Sequence, residues 1–151
     1  MVAAGDVAVN GFRAPQVCGI IGITYRQLDY WARIGLLRPS IRDAQGSGTQ
    51  RVYSYANLLQ LQVIRRLLDV GVSLGAAHKA VECLRGPDGR APDVDTRLVI
   101  SDGGSVLIRS EQELSSLLRE SSDVLLIVLD IGKVILEVDA AVAAARQAKQ
   151  V

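Results

Sequence analysis

The chain has 151 residues, about half of them hydrophobic, which supports one compact core or two small ones and excludes wholesale disorder. Its net charge of +1 points to no partner, and no apolar run reaches the roughly 18 residues of a membrane helix. The charge is unevenly placed: residues 1–85 carry ten Lys/Arg against five Asp/Glu (+5), and residues 86–151 carry seven against eleven (−4), the balance expected of a polyanion-binding module joined to one that avoids polyanions.

Residues 1–12 read as a loose tail, without the basic start and apolar core of a secretory leader. The two cysteines, Cys18 and Cys83, stand in no CxxC spacing, so both are expected as reduced, small core residues of a cytoplasmic protein. Ala14 to Ile21 is expected as a short helix with Pro15 in its opening turn, and Gly22 breaks it. Thr24 then caps a second helix that Gly35 closes in the left-handed conformation. Leu28, Trp31 and Ile34 recur at helical spacing as its buried stripe, leaving Tyr25, Arg26, Gln27 and Arg33 on other faces. Helix, glycine-bearing turn and helix form a helix-turn-helix pattern. A short helix with a dry back and an arginine- and amide-bearing front suits a DNA major groove, where Arg pairs with guanine, Gln with adenine and Tyr with phosphate. An ordinary amphipathic helix has the same local pattern, so its flanks decide between the two.

Residues 36–42 and 50–53 alternate apolar and polar like short strands around a glycine- and serine-bearing turn, a β-hairpin with Arg38, Arg42 and Arg51 on its arms. Beside a helix-turn-helix such a wing can lay its arginines along phosphates or in the minor groove. Ser54 caps a long helix from Tyr55 to about Val70, and Ser73 caps another from Leu74 to Leu84. The lone His78 is expected as a half-buried packing residue. Residues 86–96, with prolines and glycines, read as a linker.

Beyond it, Arg97–Ile100 and Val106–Arg109 form an expected hairpin, and Ser110 with Glu113 makes a capping box for a helix to about Arg119. Val124–Leu129 reads as a buried strand, although a helix has the same composition. Asp130 caps a final helix whose Ile131, Val134, Ile135, Val138, Ala141, Val142 and Ala145 share a face suited to its own sheet or to a second copy. The fold class is therefore α+β: an N-terminal winged helix-turn-helix over 13–85, and a small α/β dimerisation or regulatory module over 97–151 that ends in a helix.

The stretch from Ala14 to Leu84 resembles the MerR family of bacterial transcription regulators. The motifs that carry the resemblance are Tyr30-Trp31, Gly35-Leu36-Leu37-Arg38-Pro39, the wing element Gln50-Arg51-Val52-Tyr53 and the helix entry Gly71-Val72-Ser73-Leu74. It implies a homodimer on a palindromic promoter site in double-stranded DNA, with RNA polymerase as a further partner. Tyr25, Arg26 and Gln27 are then expected at bases or nearby phosphates. Thr24, Tyr30, Arg33, Arg42, Arg51 and Tyr53 are expected at the backbone, and Trp31 in the core. Three departures stand out: Asp29 where many members have arginine, a longer wing turn, and an acidic α/β module in place of the long dimer coiled coil. They resemble a divergent branch from high-GC bacteria linked with growth control.

Cys83 has only His78 nearby, too few ligands for a soft metal, so no metal and no cofactor are expected. No nucleophile–base pair, phosphate-binding glycine loop or paired carboxylates are evident, so the chain is not expected to be an enzyme. The rival from another class is a protein-interaction adaptor working through the acidic module. A small-molecule sensor is a third reading.

Overall fold

The computed structural model describes residues 11–43, 50–85, 92–101, 104–122 and 125–150, without the side chains of the last two. The chain divides into two compact units, one holding the described residues up to Arg65 and from Glu137 onward, the other running from Arg66 to Leu136. This differs from the expected division at a linker: residues 66–85 group with the sheet, and the last part of the chain groups with the helix-turn-helix. The expected tail to residue 10, the wing tip at 44–49 and residues 86–91 of the linker lie outside the described residues.

The first unit opens with β1 (Phe12–Arg13), which pairs antiparallel with β2 (Val52–Tyr53) in the register Phe12 to Tyr53. Phe12, assigned from sequence to the loose tail, is 5% exposed and part of the core. Helix α1 (Ala14–Ile21) follows at once, its first turn tied by the Arg13 amide donating to Gln16 Oε1 at 3.0 Å. Gly22 turns the chain at φ 80°, and the Arg65 guanidinium donates to the Ile21 carbonyl close beneath it. The positive φ is what favours glycine here; a Cβ at position 22 would also meet Arg65 Nη1 at 2.9 Å, the tip of a flexible side chain that can shift.

Helix α2 (Tyr25–Arg33) carries a complete capping box: the Gln27 amide donates to Thr24 Oγ1 and the Thr24 amide to Gln27 Oε1, each at 3.1 Å. Its buried side is Leu28, Trp31 and Ala32. Ile34, expected in that stripe, is 46% exposed, because the helix has ended and Gly35 at φ 79° redirects the chain. Leu36 and Leu37 are buried in its place.

Among the described residues, the expected hairpin shows one antiparallel bridge, between Arg42 and Val52, with Val52 donating to the Arg42 carbonyl at 2.7 Å. Val52–Tyr53 spends its ladder on β1 instead. Buried Asn57 fastens the base of this segment, its Oδ1 accepting from the amides of Ser40 and Ser54 at 2.9 Å each. Ser54 caps α3 (Tyr55–Asp69) as expected. Leu58, Leu61 and Ile64 fill the core beneath it. The later half of α6 (Ile131–Gln150) lies against α3, with Gln62 Nε2 donating to Glu137 at 2.7 Å and the Tyr55 hydroxyl to Asp139.

The second unit contains α4 (Leu74–Arg85), β3 (Arg97–Ser101), β4 (Gly104–Ile108), α5 (Glu111–Glu120) and β5 (Ile127–Asp130). The strands form an antiparallel sheet in the order β4-β3-β5, with Leu98 and Val99 of the central strand fully enclosed and α4 packed on β4 and β3. Ser110 accepts from the Glu113 amide at 3.1 Å as expected, but the Glu113 carboxylate takes the Arg109 amide and not that of Ser110. The expected strand at 124–129 is shorter and later, because Leu125 and Leu126 stand before it. Half-exposed His78 faces Glu82 at 3.3 Å one helical turn on. Both thiols are free and partly buried, and that burial pushes each above its ordinary pKa. The fold is thus α+β, with a helix-turn-helix leading and a small sheet capped by helices following.

Candidate nucleic-acid interface

With Leu28, Trp31 and Ala32 facing inward, the spacing of α2 puts Arg26, Asp29, Tyr30 and Arg33 on the opposite, outward side. Tyr25 is 61% and Tyr30 53% exposed. Arg26 is exposed, and no carboxylate partners it among the described residues. Arg33 is also exposed, with its Nε 2.9 Å from Asp29 Oδ2. Thr24 and Gln27 are exposed too, but they serve each other in the capping box. The Gln27 carbonyl oxygen is therefore occupied, and the paired donor and acceptor that an adenine edge asks for are not both available.

On the wing, Arg42 is exposed and its Nε donates to the Gln50 carbonyl at 3.1 Å. Arg38 is 66% exposed and loosely paired with Asp43 at 3.7 Å. Arg51 is different. Its side chain is only 17% exposed; Nη1 lies 2.6 Å from Asp29 Oδ1 and Nε 3.3 Å from Asp43 Oδ1. The hydrogen bond from Arg51 holds the Asp29 carboxyl below the ordinary carboxylate range, and the same bond pushes Arg51 up. Tyr53, the other expected backbone contact from the wing motif, is fully buried. Burial raises its pKa to about 12, and its hydroxyl has no hydrogen-bond partner among the described residues. The structure therefore takes Tyr53 off any surface that DNA can touch and sets Arg51 against two carboxylates.

Of the expected residues, Tyr25, Arg26, Tyr30 and Arg33 on α2 and Arg42 on the wing are exposed, Thr24 and Gln27 close the first turn of the helix, and Arg51 and Tyr53 are drawn inward. Sequence reasoning gave Asp29 no partner. Its carboxylate links α2 to the wing, and the signal was its presence where arginine is customary. Among the described residues, no helix is long and apolar enough to cross a membrane.

Comparison with known proteins bears on the family of this chain. The family described as MerR HTH family regulatory protein, a family of regulators and not of enzymes, matches residues 12–83. HTH-type transcriptional regulators of Mycobacterium tuberculosis and Mycobacterium bovis are 47% identical over 110 residues, which is 72% of this chain and 48% of theirs. The chain thus spans about half the length of those high-GC relatives. Through its helix-turn-helix region, this chain belongs to the MerR family of regulators.

Proposed function

We propose that the chain is a sequence-specific, duplex-DNA-binding transcription regulator that sits as a homodimer on a palindromic promoter site. The observation that carries this reading is the outward face of α2, where Arg26, Tyr30 and Arg33 stand exposed, together with the exposed Arg42 and Arg38 on the wing. Arg26 reads a base edge; Tyr25, Tyr30, Arg33, Arg38 and Arg42 meet the phosphates. A two-fold protein requires half-sites about one helical turn apart or a small multiple of it. RNA polymerase as a partner and a role in growth control extend the same reading.

The test is fluorescence anisotropy with a labelled duplex selected by the full chain from a random-sequence library. Arg26→Ala is expected to lose about 1–3 kcal/mol on the selected site and to relax its specificity. Arg42→Ala is expected to weaken all duplexes alike and to reduce the salt slope by about one. If both variants bind as the parent does, the reading is wrong.

A further inference from the structure

We infer that Asp29 and Arg51 form a lock that holds the wing in position beside α2, so that Arg51 serves DNA binding by placing its neighbours and not by touching phosphate. This rests on the reading just given. Arg51 reaches Asp29 on the helix and Asp43 on the other wing arm, while Asp29 also takes Arg33 and Asp43 takes Arg38. Three guanidiniums thus surround two carboxylates, and Arg51 is the member bonded to both.

The burial supports the same assignment. The side chains of Arg51 and Asp29 are 17% and 20% exposed, against 73% for Arg33 and 66% for Arg38. A phosphate approaching Arg51 would have to displace a carboxylate already at 2.6 Å, whereas Arg33 and Arg38 have open sides. The backbone completes the linkage. Arg51 directly precedes Val52, which exchanges hydrogen bonds with Arg42 at 2.7 and 3.1 Å, so fixing Arg51 fixes the strand that aims Arg42. Arg51 and Asp29 are positioning residues; Arg42 is one of the residues they position.

The lock predicts a sign that electrostatics alone reverses. Removing a negative charge from a DNA-facing helix should tighten binding to a polyanion. Loss of the lock weakens it. The experiment titrates the same selected duplex against the full-length parent, Asp29→Ala, Asp29→Asn, Arg51→Ala, Arg51→Lys and the Asp29→Ala/Arg51→Ala double variant over a range of salt, with circular dichroism melts to verify folding. Asp29→Ala and Arg51→Ala are each expected to weaken binding roughly three- to tenfold. Asp29→Asn is expected to follow in the same direction, and the double variant to bind no worse than either single. Arg51→Lys keeps the charge but loses the fork that reaches two carboxylates, and it is expected not to restore affinity. Tighter binding by either Asp29 variant, additive losses, or parent-like affinity in Arg51→Lys would overturn the lock and return Arg51 to phosphate. Arg26→Ala, run alongside, separates the two readings. If it still loses affinity, the DNA reading stands without the lock; if the parent retains no duplex, both fall.

Discussion

Arg51 and Tyr53 belong to one sequence motif, yet the fold puts both to work inward: the arginine against carboxylates and the tyrosine in the core. The buried phenol of Tyr53 lacks a hydrogen-bond partner among the described residues, a condition that costs about 1–3 kcal/mol at a buried polar atom. Tyr53→Phe keeps the ring and removes that atom. It is expected to leave stability unchanged or raise it by about 1 kcal/mol in a urea melt, with DNA affinity at the parent's level. A fall in affinity without a fall in stability would show instead that the hydroxyl reaches DNA. The contrast with Arg26 is instructive, because both residues were expected at DNA. Arg26 could be placed from the period of its helix, whereas the position of Tyr53 depends on pairing with Phe12, distant in the chain.

At the level of elements, the helices were legible because their signals are local. Thr24, Ser54, Ser73 and Ser110 each accept from a backbone amide of the first turn, and Gly22, Gly35 and Gly71 turn the chain with positive φ. The strands of the first unit were not legible. A strand as short as Phe12–Arg13 has no period of its own, and it takes Val52–Tyr53 from the expected hairpin by long-range pairing. The same limit hid the bond from Arg51 to Asp29, which joins a wing arm to a helix 22 residues earlier. That bond has a consequence for pH. Asp29 is held below its ordinary pKa chiefly by the hydrogen bond from Arg51, so its folded-state pKa lies below its unfolded one. The stabilisation is complete above the unfolded value of about 4 and is lost as pH falls through the folded one. The difference in melting temperature between the parent and Asp29→Ala is therefore expected to stay constant from about pH 8 to 5 and to shrink below about pH 4. A difference that already fades between pH 7 and 6 would rule Asp29 out as its source.

For the whole molecule, the charge stays divided between the two structural units, much as it is on either side of the expected linker. Residues 1–65 with 137–151 carry nine Lys/Arg and five Asp/Glu (+4), and residues 66–136 carry eight and eleven (−3). A protein adaptor would not need the excess on the side that bears α2 and the wing, whereas a DNA-binding unit does. Total charge, however, overstates what DNA meets, because Arg51 is neutralised from within and Arg65 is engaged with the Ile21 carbonyl. Arg26, Arg33, Arg38 and Arg42 remain as the outward arginines of the interface. Arg26 is set at a base edge, which leaves Arg33, Arg38 and Arg42 to neutralise phosphate. Each phosphate neutralised contributes about −0.9 to the slope of log affinity against log salt, so these three contacts give about −3 and a two-fold pair of copies about −5. The slope on a palindromic selected duplex therefore reports the assembly that binds. A value near about −5, with sedimentation equilibrium placing two copies on one duplex, is the outcome expected of a homodimer. A value near about −3 with one copy per duplex would mean that a single chain reads its half-site alone, and the palindrome would lose its structural basis.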